Sequence, residues 1–133
     1  MQPHLPVWVL VADASRARIF EVKIGSDVFE LVSEFPHAGR GHNHHAGHAA
    51  SEPHSNKETS HDHFARELCQ ALTKGLNDHK CGRIVLVANP EFLGHLREVA
   101  DHNLQKHISE AVHKDYTTLQ PRELAERLRD HLA

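Results

Sequence analysis

The chain has 133 residues, of which 39% are hydrophobic and 25% charged, and its formal net charge is −3 with histidine neutral. This length favours a single domain, over residues 1–133, that buries a core of its own. A net negative charge argues against a general nucleic-acid binder, because such proteins are usually basic. Two cysteines without a CxxC pair exclude a disulfide framework and a cysteine-rich zinc module.

Three short strands are predicted at the start of the chain. Val7–Ala12 is entirely apolar, which is typical of a central strand buried on both faces. Arg16–Ile24 alternates between apolar and polar residues, and Val28–Phe35 forms a third β-like run. The turns between these strands are short, so we expect antiparallel pairing.

Residues 36–63 interrupt the apolar pattern. They contain two prolines, three glycines and eight of the 15 histidines. This composition predicts a His/Gly-rich loop at about residues 37–60, between the third strand and the first helix.

Helices and strands alternate after the loop. An amphipathic helix with apolar residues at every fourth position is predicted to end near Asn77. Ile84–Ala88 is a second entirely apolar strand, and a second helix is predicted from Pro90 through Leu104. A more polar fifth strand within His107–Thr117 is expected near a sheet edge, and Pro121 begins the last helix.

The predicted element order is therefore β-β-β-α-β-α-β-α. Strands that follow helices should lie parallel to strand one through right-handed crossovers. The two apolar strands belong side by side in the centre. This predicts an α/β fold with a mixed five-stranded sheet in the order 3-2-1-4-5 and helices packed on it, the ribonuclease H-like arrangement.

A nuclease site is the first candidate for chemistry. Ribonuclease H-like enzymes hold two metal ions with several carboxylates at the carboxyl ends of central strands. Asp13 follows strand one, but strand four is followed by Asn89 and Pro90, and Glu67 supplies only one further acid. We therefore interpret Asp13 as a turn residue, expect no catalytic residue, and keep a hydrolase or nuclease as the least favoured alternative.

Metal binding by the loop is the second candidate. Its histidines form an H-x-H-H-x-x-H run, followed by an H-x-H pair at the helix start. Neutral imidazoles suit zinc and other transition metals. No cysteine or closely spaced acid completes a defined site, so no cofactor is required, and a solvated loop with histidine as a polar residue is the alternative. The candidate ligands are His42, His44, His45, His48, His61 and His63.

The loop also predicts pH-dependent binding to anions. Residues 37–63 carry two basic and three acidic residues, hence −1 with histidine neutral. Near pH 6.5, half-protonation of the eight histidines would bring this charge to roughly +3. Affinity for phosphate-rich surfaces should then rise as pH falls and weaken with salt.

Four segments outside the loop form a specific combination: WVLVADASRARIFEV, HFARELCQAL, RIVLVANPEFLGHLREV and HKDYTTLQPREL. In these segments, which span almost all of the chain outside the loop, the sequence resembles the bacterial host-attachment proteins. That family takes its name from an attachment phenotype, so the resemblance implies no defined biochemical activity.

The family in turn looks like the middle domain of archaeal and eukaryotic class-I peptide-release factors and of Pelota. That domain is ribonuclease H-like without nuclease chemistry. In release factors, the loop after strand three carries a Gly-Gly-Gln motif that enters the ribosome, and the next helix begins much like Phe64-Ala65-Arg66. The present chain has no Gly-Gly-Gln. The resemblance therefore implies contact with ribosome or tRNA rather than peptide release.

The residues expected to make this contact lie in the loop, in the first helix and near the first turn. Arg16 and Arg18 are included because the turn between strands one and two could lie close to the loop. The set is Arg40, Gly41, His42, Asn43, Arg66, Arg16 and Arg18.

Taken together, the sequence predicts a non-enzymatic cytoplasmic factor of the host-attachment family. Its histidine-rich loop is expected to contact ribosome or RNA, with modulation by pH or metal. A metal-binding module for zinc, nickel or copper is the alternative. The short apolar run at Val7–Ala12, followed at once by Asp13, predicts neither a signal peptide nor membrane insertion.

Overall fold

A computed structural model describes residues 5–36 and 57–132, with the backbone alone for 57–60. The predicted loop at about 37–60 therefore lies largely outside the described residues. The strands are β1 (Val7–Ala12), β2 (Ala17–Val22), β3 (Glu30–Phe35), β4 (Arg83–Ala88) and β5 (Ile108–His113). The helices are α1 (Lys57–Asn77), α2 (Pro90–Val99), α3 (His102–His107) and α4 (Pro121–Leu132).

The five strands form one mixed sheet in the order β3-β2-β1-β4-β5. β1 is antiparallel to β2 and parallel to β4, while β5 is parallel to β4 and β3 antiparallel to β2. This confirms the predicted sheet, including the central position of the two apolar strands and the edge position of β5. β2 and β3 are shorter than predicted, because Ile24 and Val28 are exposed and lie outside the ladder.

Burial on both faces explains the apolar sequence of β1. Trp8 and Leu10 point to the face covered by α1, α2 and α3. Val9 and Val11 point to the opposite face, where Leu124 and Leu128 of α4 cover the sheet. Because side chains alternate along a strand, a strand covered on both faces has no polar position.

The second predicted helix is two helices in the structure. α2 ends at Val99, Ala100 is extended (φ −70°, ψ 131°), and Asp101 caps α3 by accepting a hydrogen bond from the Leu104 N–H at 2.8 Å. The apolar stripe continues across the break, since Ala100 and Leu104 are both buried. Hydrophobic periodicity alone therefore could not reveal where α2 ends.

One row of register partners crosses the sheet where β1, β4 and β5 end. Phe35, Ala17, Ala12, Ala88 and His113 are successive partners along this row. We call this end of the sheet the carboxyl edge. β3 therefore ends at the carboxyl edge, with Phe35 paired to Ala17.

α1 begins at the same edge. Its last turns pack against β1 near the amino end of that strand, where Gly75 contacts Trp8. Its first described side chains meet the start of α2, with the rings of Phe64 and Phe92 5.9 Å apart. The 21 residues of α1 measure about 31 Å, against roughly 20 Å for a six-residue strand, so the helix spans the sheet from one end to the other.

None of the helices in the described part of the chain combines the length and the apolar character that crossing a membrane requires.

Candidate functional site

The carboxyl edge is closed by a turn that Asp13 organises. Its Oδ1 accepts hydrogen bonds from the backbone N–H groups of Ser15 (2.8 Å) and Arg16 (2.9 Å). The backbone N–H of Asp13 donates to the carbonyl of Arg16 at 2.9 Å. The Asp13 carboxylate is thus engaged by the turn between β1 and β2, as expected of an aspartate in this position.

A second loop, after β5, reaches the same place through Thr117. Thr117 is the one buried polar side chain in the described parts of the chain. Its hydroxyl lies 2.6 Å from Oδ1 of Asp115 and 3.4 Å from Oδ2 of Asp13. The hydroxyl and the Thr117 N–H both bond to Asp115 and hold the pKa of that carboxyl below its ordinary value. Two carboxylates therefore meet at one buried hydroxyl.

Arg18 fixes the backbone of this second loop. Its guanidinium donates to the carbonyls of Thr117 (2.8 Å) and Leu119 (2.9 Å), with Tyr116 O more distant at 3.5 Å. The same guanidinium lies 5.2 Å from the ring centre of Phe20. Burial is the main cause that lowers the pKa of Arg18; Glu34 raises it by a smaller amount, and Arg16 lowers it slightly further. Arg18 thus holds the loop to β2.

A shallow cavity of about 330 Å³ opens beside these residues. Arg16, Arg18 and Glu34 give it charged walls, and Phe35 and Thr118 complete its rim. Arg16 reaches Asp13 only at 3.7 Å and leaves 56% of its side chain exposed. Arg16 is thus the accessible cation of this cavity, whereas Arg18 is engaged with the backbone.

Replacing Thr117 with valine is expected to raise the pKa of Asp115 toward its ordinary value, because the hydroxyl is the main donor to that carboxylate. A depressed folded-state pKa gives stability that is present above the unfolded-state value, near 4, and lost as pH falls through the folded-state value. The valine variant should therefore lose less stability on acidification. Carboxyl NMR titration and acid unfolding measure both effects.

Thr118→Val is the matched control, because Thr118 is the exposed neighbour of Thr117 and forms no described hydrogen bond with Asp115. It should leave the titration of Asp115 unchanged. Equal titration of Asp115 in wild type and in Thr117→Val would contradict the role of the hydroxyl.

The structure separates the residues predicted to contact RNA. Arg16 and Arg18 lie at the carboxyl edge, whereas Arg66 is exposed further along α1. The remaining predicted contacts, Arg40, Gly41, His42 and Asn43, are outside the described residues. So are four of the six predicted metal ligands: His42, His44, His45 and His48.

The other two predicted metal ligands lie on α1. His63 is exposed, whereas His61 is partly buried with its ring centre 5.6 Å from that of His95 on α2. His95 in turn places Nδ1 2.7 Å from Oδ1 of Asp62. Asp62, His95 and Glu98 form a compact group that the sequence prediction missed. Its only sequence signal is the i, i+3 spacing of His95 and Glu98 on one helix face.

A groove of about 570 Å³ runs along α1. Its lining residues include Arg66, Cys69, Lys74, Asp78 and Asp101. Burial raises the pKa of the Cys69 thiol to about 11, so this cysteine is a packing residue rather than a nucleophile. Cys81 is buried elsewhere in the same core, with its pKa raised to about 12.

The comparison with protein families adds a finding at this point. A family model described as "protein required for attachment to host cells" matches residues 8–128. The chain belongs to this host-attachment family. A search of curated proteins gives no match. The matched range includes the Asp13 turn, Arg18 and the loop from Asp115 to Leu119, so the whole hydrogen-bonded cluster at the carboxyl edge lies within the family domain.

Proposed function

We propose that this member of the host-attachment family is a non-enzymatic, cytoplasmic factor that contacts the ribosome or tRNA through residues 37–56 and the carboxyl edge. One observation carries the proposal. Phe35 and Ala17 are register partners at this edge, and α1 begins there as well. The elements that flank the histidine-rich segment, β3 and α1, therefore both meet the carboxyl edge, where Arg16, Arg18 and Phe35 line the cavity.

The charges at this edge favour a phosphate-bearing partner. Arg16 is largely exposed, and Lys114 is exposed on the loop after β5. Arginine binds phosphate with two parallel hydrogen bonds, which suits it to a nucleic-acid backbone. The histidines of residues 37–56 add positive charge as pH falls through about 6.5. Binding should therefore strengthen in mild acid and weaken with salt.

The resemblance to release factors and Pelota supports the same partner. In release factors the segment after strand three, ahead of a helix that begins like Phe64-Ala65-Arg66, reaches into the ribosome. The chain lacks Gly-Gly-Gln. Asp13 and Asp115 share the Thr117 hydroxyl, and within residues 5–36 and 57–132 they belong to no group of three ligands suited to a metal. The function that fits is contact without peptide release or nucleolysis.

Co-sedimentation with purified bacterial ribosomes tests the proposal. The wild-type chain should pellet with ribosomes, more strongly at pH 6 than at pH 7.5. A chain with residues 41–54 replaced by a Gly/Ser linker of equal length should lose most of this binding. The linker removes the histidines of this range but keeps the flanking elements, β3 and α1, in place.

Two charge reversals serve as a matched pair. Arg16→Glu changes the carboxyl edge, whereas Lys23→Glu makes the same charge change beyond β2, at the opposite end of the sheet. We expect Arg16→Glu to weaken binding severalfold and Lys23→Glu to have little effect. Absence of the wild-type chain from the ribosome pellet at both pH values, or equal losses in the two variants, would overturn the proposal.

A further inference from the structure

A second constellation, independent of the carboxyl-edge proposal, lies between α1 and α2. Asp62 is on α1, and His95 and Glu98 are three residues apart on α2, so they share one face of that helix. One ligand atom from each of the three residues lies within 4.8 Å of the other two. Two neighbouring helices therefore bring an imidazole and two carboxylates to one point.

The His95 ring is held in a fixed orientation. Its Nδ1 is 2.7 Å from Asp62, and its side chain is only 15% exposed. The ring of Phe92 lies 6.2 Å from that of His95, and the rings of His61 and His95 are nearly perpendicular. A ring that is held in one orientation beforehand loses less conformational freedom when it binds a metal ion.

The hydrogen bond between α1 and α2 joins Asp62 and His95 and does not involve Glu98. Within the described residues Glu98 forms no hydrogen bond or ion pair, yet it brings a second carboxylate to within 4.8 Å of Asp62. Two carboxylates this close repel each other unless a positive charge lies between them. A bound cation would relieve this repulsion.

We propose that Asp62, His95 and Glu98 are the protein ligands of a divalent transition-metal ion such as Zn²⁺. Mixed imidazole and carboxylate ligands suit Zn²⁺ and its first-row neighbours, whereas Mg²⁺ prefers oxygen ligands alone. Zinc bonds of about 2.1 Å put tetrahedral ligand atoms roughly 3.4 Å apart. Exposed Glu98 must rotate inward to reach this spacing, and Asp62 Oδ1 and His95 Nδ1, now 2.7 Å apart, must separate slightly as the metal ion replaces their hydrogen bond.

His61 is placed to become a fourth ligand. Two imidazoles on one tetrahedral zinc ion have ring centres about 5 Å apart. The rings of His61 and His95 are 5.6 Å apart. Rotation of the His61 side chain would therefore complete a site with two histidines and two carboxylates. In this arrangement the metal ion joins the first turns of α1 to α2.

Calorimetry with Zn²⁺ on the metal-free full-length chain tests the site. The histidines of the preceding segment must first be removed as competing ligands. The test therefore uses a background in which six histidines are changed to asparagine: His37, His42, His44, His45, His48 and His54. On this background we expect one zinc ion per chain and a higher melting temperature with zinc, since metal binds the folded state.

Glu98→Gln is the decisive variant, because Glu98 is exposed and the change keeps its size. It should weaken zinc binding more than tenfold, at least as much as the loss of an outer-shell partner. Glu91→Gln alters another exposed acid of the same helix and should leave affinity unchanged. His95→Asn, with folding checked by circular dichroism, should abolish binding.

Three results would overturn the site. One is the absence of zinc binding on the histidine-depleted background, which would assign any zinc bound by the wild-type chain to the histidines that were removed. Another is an equal loss of affinity in Glu98→Gln and Glu91→Gln. The third is retained binding in a folded His95→Asn chain.

Discussion

Replacing Gly75 with alanine is expected to lower the free energy of unfolding by about 1–3 kcal/mol. Gly75 is buried within α1, and a Cβ atom there would lie 2.5 Å from Cη2 and 3.0 Å from Cε3 of Trp8. Trp8 is itself 5% exposed in the core of the sheet, so its ring has no free space into which to move. Urea unfolding followed by tryptophan fluorescence measures the change.

Gly94→Ala is the control for this prediction. Gly94 lies in the interior of α2, and a Cβ atom there would meet nothing within 4 Å. Alanine is the better helix former by about 0.8–1 kcal/mol, so this change should stabilise the protein by a similar amount. Both variants gain the same helix propensity, and their difference therefore measures the contact with Trp8. Equal stabilisation by the two changes would contradict the packing of α1 on β1.

The contact between Gly75 and Trp8 also shows what the sequence could not reveal. From the sequence, a glycine within an amphipathic helix only indicates a position of low helix propensity. The need for glycine comes from a tryptophan 67 positions earlier, and only the placement of α1 over β1 brings the two residues together. Periodicity predicts which face of α1 is buried, but not which position must be small.

The central strands were predictable because burial on both faces leaves a strong local signal. Val7–Ala12 has the predicted bounds, and β4 begins one residue earlier than predicted, at Arg83. The edges were less predictable. Leu31 and Val32 of β3 are adjacent and both exposed, so this strand has no clean alternation. The break between α2 and α3 was missed because the cap at Asp101 interrupts the helix but leaves the apolar stripe continuous.

The two candidate sites depend on tertiary contacts for the same reason. Asp13 and the segment around Thr117 each stood out in the sequence, but about 100 residues separate them. They meet because β1, β4 and β5 are parallel neighbours that end at one edge. Asp62 and His95 meet because α1 and α2 cover the same face of the sheet. The sequence shows which residues could take part in a site. Which of them meet in space follows only from the order of the strands and the placement of the helices on the sheet.

Arg18 is the residue on which the loop after β5 most depends, and Arg18→Met should destabilise the protein by about 2–3 kcal/mol. Hydrogen bonds from a charged donor contribute about 1.5–3 kcal/mol each, and Arg18 makes two short ones, to Thr117 O and Leu119 O. Because Arg18 is partly exposed, water can replace these bonds in part, and the expected loss of stability is smaller than the sum of their two contributions. Methionine keeps an apolar stem over Phe20, so the change isolates the guanidinium.

Arg16→Met is the control, because Arg16 is two residues away, is largely exposed and should shift stability by less than about 0.5 kcal/mol. Hydrogen exchange adds a local readout. Amides around Thr117 and Leu119 should exchange faster in Arg18→Met than in wild type, and at the wild-type rate in Arg16→Met. If the two variants unfold at the same urea concentration, the loop must be held by Asp13, Asp115 and Thr117 alone. In that case Arg18 would be available for phosphate, and its loss should weaken ribosome binding as strongly as the loss of Arg16.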